Sequence, residues 1–475
     1  MPLRAKILNP QVSRAQMSTS SIRELPKELD TDAPDDVLFN NIYGLRTIEL
    51  NRPNKLNSLN GSMIRKIFPR LVEWEKSDMA NVIVVKGAGD KAFCAGGDVV
   101  DLANQIKEDP EEGQRKAVDY FALEYQLDHY IATYKRPYIA FMDGITMGGG
   151  VGLSIHAPFR IATERTMFAM PETTIGFFPD VGASFFLPRM PGSVGTYLAL
   201  TSERLTGANV FYSGIATHYL HSTSLPSLES RLAELRFKDY YTFEERLAII
   251  EMTIEEYATG LPPGEPILLS GELRKAIDRC FSKDKVDDII AALQAEQGPT
   301  KAWAEKTLET LHKRSPTSVH VALRQMRLGR DWSIAVAFQR EHQIAAKFMR
   351  HPDFVEGVIA RLKTRVPPKW QPASLEDIPR GANIVTSFFH PSGDPPKLNL
   401  VTDRDYSQYP FSQFGVPSEE DVKEVVMSFG LPRHEIREEF IRKKKGRQGI
   451  DVVVDEILSR KTIVNEEGKA EWIDE

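Results

Sequence analysis

Two hydrophobic periods alternate along this chain. In TIELNRP (47–53), Ile48 and Leu50 face one way and Thr47, Glu49 and Asn51 the other, which predicts a half-buried strand. The period lengthens over 62–77, where Met63, Ile64, Ile67, Leu71 and Trp74 fall at helical spacing. NVIVVKGAG (81–89) is an unbroken β-branched run ending in glycines, as expected of a strand buried on both faces. A polar stretch over 99–134 predicts a helix, PYIAFMDG (137–144) another strand, and FRIATERTMFAMPE (159–172) a strand pair. This β–β–α alternation, from about 36 to 228, predicts an α/β core.

The pattern changes near residue 228. Segments such as SLESRLAELRF, KDKVDDIIAALQAE and IAVAFQREHQIAAKFMR read as helices with no strong strand between them, which predicts a helical domain over 229–380. VPPKWQPASLEDIPRG then interrupts regular structure, and 381–475 reads as a C-terminal extension. Within it Ser418 and Asp421 have the spacing of a capping box, and RKKKGRQ (442–448) is a basic cluster.

Composition narrows the picture. Net charge is −6 over 475 residues, so no global basic field points to nucleic acid as the main partner. Two cysteines, Cys94 and Cys280, form neither a disulfide framework nor a CxxC zinc pattern, and no metal is expected. No apolar run approaches the ~18 residues of a membrane span, so no membrane partner is expected. Arg4, Lys6, Arg14 and Arg23 precede the first acid, Glu24, in a Ser-bearing segment; residues 1–30 therefore read as a mitochondrial transit peptide or disordered tail, and the matrix as the destination.

Candidate chemistry lies in two glycine-rich stretches. GITMGGGVGLS (144–154) and KAFCAGGDVV (91–100) each follow a predicted strand and precede a predicted helix. A helix start presents free N–H groups, and glycine lets a ligand approach them. Two such turns can offer one N–H apiece to a single oxygen gaining negative charge. Tight backbone packing accounts for the same glycines, and the pattern alone does not choose. Cys94 reads as a small buried filler, and His156 as a core residue.

KAFCAGGD, GITMGGGVGLS, FAMPETTIGFFPDVG and LTGANVFYSGIATHYL resemble the crotonase (enoyl-CoA hydratase/isomerase) superfamily, specifically its 3-hydroxyisobutyryl-CoA hydrolase branch. The resemblance runs from about 36 to 375. It implies a crotonase-type spiral of ββα units with a C-terminal helical segment that often mediates oligomer contacts, hence a homo-oligomer. It also implies hydrolysis of 3-hydroxyisobutyryl-CoA in valine degradation, with coenzyme A part of the substrate and no separate cofactor. By the same resemblance Gly97 and Gly149 match the paired oxyanion donors, Glu172 the catalytic carboxylate, Asp180 the second acid, and Glu124 an acidic substrate contact. Enoyl-CoA hydratases carry a second glutamate at the position of Gly152, so the glycine here disfavours hydration and is expected to open room in the pocket. The extension resembles fungal relatives that belong to the mitochondrial ribosomal small subunit, which implies a structural role there, with the basic cluster near rRNA phosphates.

Overall fold

The structure, a computed structural model, describes residues 25–379, 382–390 and 396–473. The proposed transit segment lies outside the described residues up to position 24.

Strands β1 (Val37–Ile42) and β2 (Leu45–Leu50) form an antiparallel hairpin. Helix α1 (Gly61–Lys76) follows, its first turn capped by the Asn60 side chain, which accepts from the Met63 N–H at 2.9 Å. Three strand pairs come next: β3 (Val82–Gly87) with β4 (Ala92–Cys94), β5 (Tyr138–Met142) with β6 (Ile145–Met147), and β7 (Phe159–Ala162) with β8 (Met167–Ala169). β9 (Leu205–Thr206) and β10 (His218–Tyr219) complete the core.

Each pair is divided between two sheets. The first members join a six-stranded sheet in the order β1-β2-β3-β5-β7-β10, and the second members a four-stranded sheet in the order β4-β6-β8-β9. The strand pair expected over 159–172 is therefore corrected: β7 and β8 do not bond to each other. Each instead pairs in parallel with the equivalent strand of the previous turn, β5 and β6. Sequence neighbours separate because the chain spirals, adding one strand to each sheet per turn.

The continuous apolar strands are explained by burial on both faces. Ile83 and Val85 point into the main core, whereas Val82 and Val84 point the other way, against Leu228, Leu232 and Ile250 of the helices Leu225–Ala233 and Phe243–Glu255.

The helix expected over 99–134 is two, α2 (Val99–Glu108) and α3 (Pro110–Ala132). Pro110 lacks an N–H and its ring excludes a continuing helix, while Asp109 caps α3 by accepting from the Glu112 N–H. Later helices, including Pro316–Leu328 and Ile334–Phe348, pack on the same main core as α1 and α3.

The extension is helical as well, with Glu419–Phe429, Arg433–Lys443 and Ile450–Lys461, and ends in the hairpin β11 (Thr462–Val464) and β12 (Ala470–Trp472). The expected capping box is present, since Ser418 and Asp421 exchange side-chain-to-backbone bonds. Val422, Ile436, Ile450 and Val454 belong to the main core. Before those helices the chain crosses back over the core, where Arg404 bonds both oxygens of Glu75 at 2.6 and 2.8 Å and the Tyr409 hydroxyl donates to the Ala157 carbonyl. Among the described residues no helix is long and apolar enough to cross a membrane.

Candidate active site

The glycine stretch after β6 forms a single helical turn, α4 (Gly149–Gly152). Each of its glycines has its own reason. Gly148 adopts φ +45, ψ −120, a conformation open to glycine and strained for other residues. A Cβ on Gly150 would strike the Cys94 carbonyl of β4. On Gly149 it would lie closer than 3.0 Å to Glu124 Oε1 and 3.4 Å from the Gly97 nitrogen. On Gly152 it would lie 2.6 Å from Asp128 Oδ2.

The two turns thus meet. The Gly97 turn is held by backbone bonds to 56–59, with Leu59 N–H donating to Gly96 O and Asp98 N–H to Leu59 O. Gly96, at φ +110, packs beside Met147 and Gly148. Among the described residues neither the Gly97 nor the Gly149 N–H donates to a backbone carbonyl. Both N–H groups therefore lack a backbone partner.

Around them lies a cluster of carboxyls. Glu124 is 2 % exposed, Glu172 5 % and Asp180 4 %. Glu172 starts a short helical turn, Glu172–Ile175, and its Oε1 would stand 3.2 Å from a Cβ on Gly148. Its Oε2 is buried with no hydrogen-bond partner, and so is Glu124 Oε1. Asp180 accepts from the Tyr125 hydroxyl at 2.6 Å. All five residues expected at the site are brought together.

Burial is the main cause of the cluster's raised proton affinity, with mutual repulsion second. Burial and then the Asp180 charge hold Glu124 and Glu172 well above the ordinary carboxylate range. Asp180 is pushed up to about 7 by burial, against the opposing Tyr125 bond. Carboxyls enclosed this closely cannot all ionise at neutral pH, so the cluster retains protons.

Two further acids belong here that the sequence reading missed. Asp128 stands one turn beyond Glu124 on α3, fully buried, with neither oxygen hydrogen-bonded. Burial, followed by the charges of Glu124 and Asp180, raises it well above its usual range. The room expected at Gly152 is thus filled by the Asp128 carboxyl. Its signal was the i, i+4 spacing to Glu124 in EYQLD. Glu341, on the helix Ile334–Phe348, accepts from the Gly182 N–H at 2.7 Å, the Ser184 N–H at 2.9 Å and the Ser184 hydroxyl. It fixes the loop that carries Asp180, and burial lifts it to about 8 despite those three donors. Nothing local in sequence linked position 341 to the loop.

Other candidates resolve plainly. Cys94 is fully buried, and burial pushes its thiol up to about 12, so it is inert filler. His156 sits in the core with Nε2 3.0 Å from the Val181 carbonyl, and burial lowers it to about 4. Arg52, beside the Gly97 turn, bonds Asp98 at 2.7 Å and the Ser58 carbonyl. In the basic cluster, Arg447 is buried against Glu255 and the Phe414 carbonyl, and Lys444 donates to the Gln413 and Gly415 carbonyls. Arg442, Lys443 and Lys445 are exposed, the first two paired with Glu439. No group of three His, Cys, Asp or Glu side chains among the described residues is placed to ligate a metal.

Comparison with known proteins agrees with this geometry. The Enoyl-CoA hydratase/isomerase family matches residues 45–389. The small ribosomal subunit protein mS47 of Neurospora crassa is 60 % identical over 471 residues, covering 98 % of this chain and 92 % of that protein. The mitochondrial 3-hydroxyisobutyryl-CoA hydrolase of Gallus gallus is 42 % identical over 365 residues, 77 % of this chain and 91 % of that protein. Among solved structures, a carnitinyl-CoA dehydratase from Mycobacterium thermoresistibile superposes with a TM-score of 0.66 at 34 % identity, covering 77 % of this chain and 98 % of that one. With its ββα spiral, its two facing glycine turns and a family match across most of its length, this chain belongs to the enoyl-CoA hydratase/isomerase (crotonase) family.

Proposed function

We propose that this protein hydrolyses acyl-CoA thioesters, 3-hydroxyisobutyryl-CoA foremost, in the mitochondrion. The observation that carries the reading is the placement of buried Glu172, with a free carboxyl oxygen, beside two turns whose Gly97 and Gly149 amides have no backbone acceptor. In this reading the thioester oxygen accepts from both amides. Oxygen adds to the carbonyl carbon, delivered by water that Glu172 deprotonates or by the Glu172 carboxylate itself. The tetrahedral oxyanion is held by the two N–H groups, worth about 10²–10³ in rate per donor. Its collapse breaks the C–S bond, and the departing CoA sulfur takes a proton from the cluster, for which Asp180, at about 7, is suited. Asp180 and Glu124 also grip the 3-hydroxyl end of the acyl group. If Glu172 is the nucleophile, loss of CoA leaves a mixed anhydride between Glu172 and the acyl group, which water then cleaves to release the acid and restore the carboxylate. In ¹⁸O-water, attack at the Glu172 carbonyl carbon puts label in its carboxyl, found by peptide mass spectrometry after a single turnover, whereas direct water attack on the thioester leaves Glu172 unlabelled. Hydration is disfavoured, because Gly152 offers no side chain where hydratases carry their second glutamate.

The test is release of free CoA from 3-hydroxyisobutyryl-CoA by the wild type and by Glu172→Gln. Equal rates remove the catalytic assignment, and turnover of crotonyl-CoA would restore the hydratase reading.

A second role is favoured by one finding: the likeness to Neurospora crassa mS47 covers 98 % of the chain, the extension included. In this role the protein is also a component of the mitochondrial small ribosomal subunit. Its absence from the small-subunit fraction of mitochondrial lysate sedimented at low salt would discard that role. The two are compatible, since the carboxyl cluster is enclosed and the extension presents its own surface.

A further inference from the structure

A cavity of about 550 Å³ lies between the core and the extension. None of Gly97, Glu124, Gly149, Glu172 or Asp180 lines it. One wall is core, including Arg160, Arg189 and Met190; the other is supplied by residues 408–419 and 453–460, outside the family match at 45–389. This chamber is therefore a product of the extension.

Its charge is unbalanced. Arg160 is 5 % exposed, and its guanidinium bonds only neutral oxygens: the Ile215, Ala157 and Gly214 carbonyls and the Tyr409 hydroxyl. Arg189, half-buried over the Phe185 ring at 3.8 Å, likewise donates to the Phe185, Gly329, Arg330, Trp332 and Ser407 carbonyls. Neither pairs with a carboxylate among the described residues. Tyr406, whose ring stacks edge-on to Phe185 at 5.3 Å, keeps its hydroxyl buried with no partner. Elsewhere along the wall Glu419 accepts from Arg274 and Arg460, and Glu456 from Arg460, whose Nη1 remains buried and unbonded. Arg274 also pairs with Asp278 at 3.1 Å, so of the four arginines in the lining Arg160 and Arg189 are the two without a carboxylate partner among the described residues. A buried cation without a counter-charge is costly, and an anion entering the cavity would supply one. Met190, Ile215, Val416 and Ile457 offer an apolar surface beside these charges, and the volume suits a small molecule.

We propose that this cavity binds an amphiphilic anion, a carboxylate or phosphate monoester with an apolar body, its head held at Arg160 and Arg189. Acyl-CoA hydrolysis at the carboxyl cluster neither requires nor excludes it.

Isothermal titration of the full chain with decanoate, decyl phosphate, decanol and decylamine tests this. One or both anions should bind at one site at least tenfold more tightly than decanol, about 1.4 kcal/mol, and decylamine should not bind. The tighter anion identifies the headgroup. Val416→Trp, filling the cavity from its partly buried rim, should abolish binding. Arg189→Met should weaken the anions at least tenfold and leave decanol unchanged. Val416→Trp should keep the wild-type thermal midpoint within a few degrees, whereas Arg189→Met should lower it because five hydrogen bonds are given up. Both, assayed well below their midpoints, should keep the wild-type rate of CoA release. Decanol binding as tightly as the anions, no saturable anion binding, or unchanged binding in both variants would each overturn the proposal.

Discussion

Replacing Gly152 by alanine gives the sharpest test of how α3 and α4 fit together. The backbone at Gly152 is ordinary helix, so alanine brings no strain and gains roughly 1 kcal/mol of helix propensity. Its methyl, however, would lie 2.6 Å from Asp128 Oδ2 and 2.8 Å from Cγ and Oδ1. Asp128 is short and fully buried, so either it or α3 must give way. Overpacking of this kind costs about 1–3 kcal/mol, and after the gain in propensity the net expectation for Gly152→Ala is a loss of up to about 2 kcal/mol. In an Asp128→Ala background the obstruction is gone, and the same substitution should become neutral or stabilising by up to about 1 kcal/mol. The double-mutant cycle should therefore show a coupling of about 1–3 kcal/mol with a change of sign. Urea unfolding followed by tryptophan fluorescence on the four proteins measures it. An equal effect of Gly152→Ala in both backgrounds would refute the contact as the reason for the glycine.

The remaining expectations concern proton linkage and the extension. The acid limb of kcat/KM for CoA release should move to lower pH in Asp180→Asn, because burial and then the Asp180 charge raise Glu172 and the substitution removes the second cause; an unmoved limb contradicts the coupling. Glu341 holds its proton to about pH 8 in the folded chain and releases it near its ordinary 4.5 when unfolded, so its contribution to stability is full below 4.5 and is lost as pH rises to 8. Thermal midpoints should accordingly fall less between pH 5 and 8 in Glu341→Gln than in the wild type, and parallel curves would refute this. Arg404→Ala removes two bonds to half-buried Glu75 and should cost about 1–3 kcal/mol in the same urea assay, whereas no loss would mean that the crossing segment is held by other contacts.

What could be read from sequence was what local pattern encodes. The runs around Val82–Val85 and Tyr138–Met142 specify strands buried on both faces, and Ser418 with Asp421 announces a helix start; all are present. Pairing was less legible. FRIA and TMFA look like hairpin partners because they are adjacent, yet a spiral assigns neighbours by turn, and no residue in that stretch says so. The site followed the same division. Glu124, Glu172, Asp180 and the two glycines were named through motif resemblance, while Asp128 and Glu341 required knowing which helix lies over α4 and which over the loop at 180–184. The basic cluster shows the limit of composition: Arg447 reads as a solvated charge and is buried against Glu255.

Glu75 ties together parts of the chain that are made far apart in time. It closes α1, accepts from the Tyr130 hydroxyl and the Lys135 N–H, and receives Arg404 from 329 positions further along the chain. Synthesis from the N-terminus delivers that arginine late, so a growing chain holds an early helix end whose acid lacks this cation until the spiral and its covering helices have been made. Arrival of Arg404 then acts as a latch: a chain stopped short of it carries every strand of the two sheets without the bolt that fastens the first helix to the crossing segment.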